Sequence, residues 1–203
     1  MTILLTAFAP FGGDDLNASQ EVLEALPGRV GDARIEKLLL PVSFRTAGGI
    51  AIAAAEKLQP DAIVCLGQAG GRGDLTPERV AVNLMDAANP DNDGFCPADE
   101  PVIRGGPAAY FSTLPVKAMA AAMQEAGVPA QLSNTAGTYV CNCLMYTLLH
   151  WTAAHCPALP CGFVHIPYLE HQIRKDGVPA MPKETAVAGI LTALRMIEHG
   201  GAK

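Results

Sequence analysis

Short apolar runs alternate along this chain with longer stretches of helical period. Runs at residues 3–7, 34–41, 62–66, 79–84, 130–133 and 162–167 read as strands. Residues 19–26, 46–58, 116–126, 139–151 and 183–198 read as helices. In the fourth helix, Val140, Leu144, Thr147, Leu148 and Trp151 share one face. Gly127 and Gly200 stand where C-terminal stop signals belong. The alternation is that of an α/β layered domain. Two Gly/Pro-rich stretches interrupt it, Phe8 to Asn17 and about Met85 to Pro107. Neither is long enough to be a domain, and long irregular loops inside a compact domain tend to build sites. The 203 residues are read as one domain with a full core.

Composition narrows the class. Half the residues are hydrophobic and 17% are charged, which excludes a disordered chain. Net charge is -6 with no basic run, so neither nucleic acid nor a membrane is an expected partner. The opening stretch Thr2-Ile3-Leu4-Leu5-Thr6-Ala7 lacks a basic segment before it and reads as a first strand, not a signal peptide. The longest apolar run, 47–55, is too short to cross a bilayer, and the expected location is cytoplasmic. Six cysteines without an export signal read as reduced thiols, most of them small buried apolar residues. No Cys-x-x-Cys pair exists. The nearest approach to a metal set is Cys141-x-Cys143 with Cys156, Cys161 and His165, and no metal site is expected.

Three segments carry chemistry. In Ser133-Asn134-Thr135-Ala136-Gly137-Thr138-Tyr139-Val140-Cys141-Asn142, a strand ends, a small-residue turn follows, and a helix begins close to Cys141. A thiol in the first turn of a helix feels the positive end of its dipole, which lowers the thiol pKa. N–H groups of the same turn can hold an oxyanion. A buried, inert helical cysteine fits this segment equally well.

Of the five histidines, His150, His155, His171 and His199 fall on helix ends or polar loops and read as solvated. His165 sits instead at the end of the apolar run Cys161-Gly162-Phe163-Val164-His165-Ile166, where catalytic groups of open α/β sheets gather. The third segment runs from Gly67 through Gly70-Gly71-Arg72-Gly73 to Glu78, which is expected to open a new strand. Its glycines lack both the G-x-G-x-x-G spacing and the Walker lysine. Glu78 either pairs with Arg72 or Arg79 at the surface or orients a histidine and stabilises its imidazolium.

The third and first of these segments match, position by position, the glutamate-containing and cysteine-containing signatures of pyroglutamyl peptidase type I (pyrrolidone-carboxylate peptidase), which the chain resembles. The likeness extends from Thr6-Ala7-Phe8-Ala9-Pro10-Phe11-Gly12-Gly13, through both signatures and Gly106-Pro107-Ala108-Ala109-Tyr110-Phe111-Ser112-Thr113, to Phe163-Val164-His165-Ile166-Pro167-Tyr168. The resemblance implies a three-layer α/β/α sandwich with a mixed, mostly parallel sheet, no cofactor, a cytoplasmic location and a homotetramer. It implies Cys141 as nucleophile, His165 as general base and acid, and Glu78 as the residue orienting His165. It implies peptides with an N-terminal pyroglutamyl residue as substrates. That ring is flat, neutral and small, and needs apolar walls, one acceptor and one donor. Phe8, Phe11, Tyr139 and Val140 resemble the family's walls, and Asn17 and Gln68 its polar contacts.

One segment departs from the family pattern. Asp86-Ala87-Ala88-Asn89-Pro90-Asp91-Asn92 stands where the family commonly reads Asp-Ala-Arg-Ile-Pro-Asp-Asn. The absent arginine is assigned to the substrate side of the family's site. Two rival readings accompany the resemblance: a binding module that keeps the pocket without catalysis, and a phosphorylase-like enzyme using the Gly67–Gly73 loop for phosphate.

Overall fold

A computed structural model of the chain describes the backbone of residues 1–200 and the side chains of residues 1–198. The strands are β1 (Thr2–Phe8), β2 (Arg29–Val30), β3 (Ala33–Leu40), β4 (Ala62–Gln68), β5 (Thr76–Pro77), β6 (Val80–Val82), β7 (Ala109–Phe111), β8 (Cys161–Ile166), β9 (Tyr168–Leu169) and β10 (Ala180–Met181). The helices are α1 (Ala18–Ala25), α2 (Ala47–Leu58), α3 (Val116–Glu125), α4 (Val140–His155) and α5 (Lys183–Gly200).

Six strands form the main sheet in the order β2-β3-β1-β4-β8-β5. The four central strands are parallel, and β2 and β5 run antiparallel at the two edges. The alternation of side chains along β1 divides the interior. Ile3, Leu5 and Ala7 enter the core under α1, α3 and α5, while Leu4 and Phe8 enter the core under α2 and α4. A strand buried on both faces must be apolar throughout, which is why the parallel strands read as unbroken hydrophobic runs. Each fully buried Ile or Leu contributes about 1.5–3 kcal/mol, so the centre of the sheet is its most firmly held part. The mixed three-layer α/β/α sandwich that the resemblance implies is the architecture found.

Strand order places the site. The chain goes from β1 to β3 on one side and then to β4 on the other, so the order reverses at β1. Crevices open beyond the C-terminal ends of strands at such a reversal. The C-terminal ends of β1, β4 and β8 lie side by side there, with Gly67 in register with His165 and Gln68 with Ile166.

The structure corrects several element boundaries. Residues 130–133 form no strand; Ala130 and Ser133 make only isolated bridges to Leu75 and Glu78. The run 79–84 shortens to β6 and leaves the main sheet to pair with β7. Glu78 therefore follows β5, which pairs with β8, and does not open the next strand. Helix α4 continues past Trp151 to His155. Gly127 ends α3 as expected, with φ +75° and its N–H bonded to Gln124. Helix α5 runs on to Gly200, the glycine expected to stop it.

Candidate active site

Cys141 is the second residue of α4, so it stands in the first helical turn as its segment indicates. Tyr139 caps this helix without a side-chain bond, and the first intrahelical bond runs from Cys143 N–H to Tyr139. Among the described residues, the N–H groups of Val140 and Asn142 have no acceptor and that of Cys141 meets only its own sulfur. Such free donors at a helix start are what a developing oxyanion requires. Asn142, fully buried, fixes that turn: its Oδ1 accepts from Val82 N–H at 2.9 Å and its Nδ2 donates to the carbonyls of Val82 and Leu84. Beneath the thiol lies Gly67, where an added Cβ would sit 2.9 Å from Cys141 Sγ and 2.6 Å from the Phe163 ring. Only glycine admits that approach of helix to strand.

His165 is buried near the end of β8. Its Nδ1 lies 2.7 Å from Glu78 Oε1, and an ionised carboxylate there requires the proton on Nδ1. Nε2 is the nitrogen left for proton transfer. Glu78 is fully buried, and the same Oε1 accepts from Arg72 Nη1 at 2.6 Å. The surface reading of Glu78 is thereby excluded, and both of its alternatives, an ion pair with Arg72 and a bond to a histidine, hold at once. Arg72 also donates to Thr76 Oγ1 at 2.6 Å and to the Thr135 carbonyl at 3.1 Å. The cation of the glycine-rich loop is thus committed to the carboxylate behind His165 and is not offered to a phosphate.

Cys141, His165 and Arg72 line one cavity of about 240 Å³. All six residues taken as substrate contacts, Phe8, Phe11, Asn17, Gln68, Tyr139 and Val140, line it too. Tyr139 packs against Phe11 with ring centroids 6.1 Å apart and edge-on to Phe44 at 5.1 Å. Its hydroxyl donates to the Pro90 carbonyl, tying the cavity wall to the loop that carries Ala88. Val42, Ala69, Gly70, Ala136 and Gly137 complete the walls. Sequence reasoning missed these because Val42 follows a strand and the others are small residues without a reactive group. Asn17 is mostly committed to the fold: it accepts from Ser19 N–H and Oγ and donates to the Ala9 carbonyl, leaving one amide hydrogen.

Burial changes the electrostatics expected for the pair. It pushes the Cys141 thiol up to about 12, assisted by the negative charge of Glu78 and opposed by Arg72 and the residue's own N–H. Burial also holds His165 below its ordinary value, against the raising effect of Glu78. The thiol pKa expected to be lowered is thus raised, because burial disfavours the charged form. Both shifts favour the neutral forms, thiol and imidazole.

Cys143 points away, buried against the Phe44 carbonyl and Met85 Sδ at 3.6 and 3.7 Å. The six cysteines are free thiols. His150 is not the solvated residue its position suggests, for it stacks on Tyr146 and its Nδ1 lies 2.9 Å from the Tyr110 hydroxyl. The side chain of His199 falls outside the described ones.

A thiol at a helix start, an imidazole lining the same cavity and a buried carboxylate behind that imidazole form the constellation of a cysteine hydrolase. The chain belongs to the pyroglutamyl peptidase family, whose model matches residues 1–199. It is similar to the pyrrolidone-carboxylate peptidase of Thermococcus kodakarensis, 46% identical over 97% of this chain and 96% of that one. The pyrrolidone-carboxylate peptidase of Streptococcus pyogenes is 47% identical over 96% of this chain and 91% of its own. Among solved structures, pyroglutamyl peptidase I of Bacillus amyloliquefaciens superposes with a TM-score of 0.92 at 41% identity, covering 95% of this chain and 94% of that one.

Proposed function

We propose that this chain, read as one catalytic domain, hydrolyses the bond after an N-terminal pyroglutamyl residue, with Cys141 as nucleophile, His165 as base and acid, and Glu78 as its orienting partner. The observation that carries the reading is the pairing of His165 Nδ1 with a buried Glu78 at the rim of the cavity that also holds Cys141. A binding module would have no use for a fully buried carboxylate held behind an imidazole, because burying that charge is costly and serves proton transfer.

With thiol and imidazole both neutral at rest, attack and deprotonation are coupled. The Cys141 proton passes to His165 Nε2 as sulfur bonds to the carbonyl carbon. The oxygen takes up negative charge before the free N–H groups at the start of α4. His165 then gives its proton to the departing amine as the C–N bond breaks, leaving a thioester. Water, losing a proton to His165, attacks the thioester, and the returning proton restores the thiol as pyroglutamate leaves. Glu78 stays ionised throughout and stabilises the imidazolium. The chain's own residues account for every proton, and no metal or cofactor enters.

Phe8, Phe11, Tyr139 and Val140 supply apolar walls for the ring. The free amide hydrogens of Asn17 and Gln68 suit its carbonyl oxygen, and the acceptor for its N–H falls to a main-chain carbonyl. We further read the protein as a cytoplasmic homotetramer, as the family resemblance implies; among the described residues no helix is long and apolar enough to cross a membrane. Phe111, 71% exposed on β7, is an apolar surface that a second copy would cover. Hydrolysis of a pyroglutamyl fluorogenic amide, lost on thiol alkylation and indifferent to phosphate, tests the activity. Light scattering tests the assembly.

A further inference from the structure

The polarity of the cavity's glutamine is set by a residue that never touches the cavity. Gln68 Oε1 accepts from Ala18 N–H at 2.8 Å and from Gln172 Nε2 at 2.9 Å. Gln172 Oε1 in turn accepts from Leu169 N–H at 2.8 Å. A main-chain N–H can only donate, so Ala18 decides which end of the Gln68 amide is oxygen and Leu169 does the same for Gln172. Both acceptor directions of Gln68 Oε1 are then occupied. Its Nε2 has no partner among the described residues, and Gln68 lines the cavity. The amide therefore presents hydrogens to the ligand.

We infer that Gln172 is a positioning residue for substrate recognition, which locks Gln68 as a hydrogen-bond donor and so makes this subsite one for a carbonyl oxygen. The inference rests on the pyroglutamyl reading above and deepens it. Gln172 lies seven positions after His165, on the short 3-10 turn Glu170–Gln172 that follows β9. Without it, Gln68 Oε1 would keep the Ala18 bond alone, and the side chain would gain freedom to swing. Held by Ala18 alone, the glutamine turns more readily, and each turn that brings Oε1 into the cavity sets it against the lactam oxygen, which loses its bond and meets repulsion. The chain thus ties recognition of the ring to the segment that leads away from the catalytic strand.

The test is a double-mutant cycle with steady-state hydrolysis of pyroglutamyl-aminomethylcoumarin. Gln172→Met, uncharged and close in shape, is expected to raise KM about ten- to hundredfold, the range for one unmatched hydrogen bond, with kcat within a few-fold. In a Gln68→Ala background the same change should add less than about twofold, because Gln172 reaches the cavity only through Gln68. The rate at which iodoacetamide alkylates Cys141 should stay within about twofold in Gln172→Met, which reports an intact fold around the thiol. Gln172→Glu gives a second reading: its carboxylate repels Gln68 Oε1 at neutral pH, and KM should recover towards the parent value as acid protonates the new carboxyl. An equal effect of Gln172→Met in both backgrounds, or an unchanged KM in both single variants, overturns the inference while the activity stands. A parent protein inert toward the amide overturns the functional reading itself.

Discussion

Arg72 binds Glu78 through a 2.6 Å ion pair on Oε1, the carboxylate oxygen that also receives His165 Nδ1 at 2.7 Å. The other oxygen, Oε2, is buried with no partner. The buried Glu78 charge therefore depends on one guanidinium and one imidazole N–H meeting on a single atom. Arg72 reaches Thr135 as well, so it joins the glycine-rich loop, the carboxylate and the turn before the Cys141 helix.

Removing that cation should be felt twice. Arg72→Met leaves a buried carboxylate short of its partner, and stability is expected to fall by about 2–4 kcal/mol in urea unfolding, allowing for the partial exposure of Arg72. The acid limb of kcat/KM should move to higher pH. Arg72 holds His165 down, and without it His165 takes up its proton more readily. Adding Glu78→Gln should restore most of the stability and none of the activity. A double variant as active as the parent would show that Glu78 only neutralises Arg72.

The neutral resting pair has its own signature. Burial raises the Cys141 thiol to about 12 and lowers His165, so the alkylation rate of the free enzyme should climb steadily above pH 8 without a plateau near neutrality. His165 must be neutral to act as base. Because its pKa lies below the ordinary value of about 6.5, activity should persist to a pH under that value and then fall as His165 protonates. A flat alkylation rate between about pH 6 and 8 would mean a preformed thiolate–imidazolium pair.

Much of this site was legible along the chain, and the reasons are local. A small-residue turn before Cys141 marks a helix start, and an apolar run ending at His165 marks a strand end. The two β5 residues were not legible, because a strand of that length has no period to detect, and Glu78 was accordingly assigned to the wrong strand. Residues 130–133 have strand composition but lie along β5 with only single bridges, a tertiary outcome that propensity does not encode. The thiol pKa is not legible because a helix start shows in sequence, whereas the burial that raises the pKa appears only when Phe163, Gly67 and the helix pack together. Gln172 carried no signal at all, since its role depends on two N–H groups from distant segments.

The departure from the family pattern at Ala88 is also testable. Ala88 is exposed on its loop and is not among the residues lining the cavity. Arg72, the cation that does reach the cavity, is committed to Glu78, Thr76 and Thr135. The site is therefore expected to work through main-chain donors, and Ala88→Arg should change kcat by less than about tenfold. A gain of about a hundredfold or more, the scale of an added transition-state donor, would show that a guanidinium belongs there.

The central claim is that Cys141 carries out pyroglutamyl hydrolysis. Turnover of pyroglutamyl-aminomethylcoumarin by the parent, Cys141→Ser and Cys143→Ser proteins tests it most directly. Two positions apart on a helix, the cysteines point about 200° away from each other, and Cys143 is sealed beneath Phe44 and Met85. The account predicts fluorophore release by the parent, most of that rate in Cys143→Ser, and none above background in Cys141→Ser. Turnover that survives Cys141→Ser but not Cys143→Ser would contradict it.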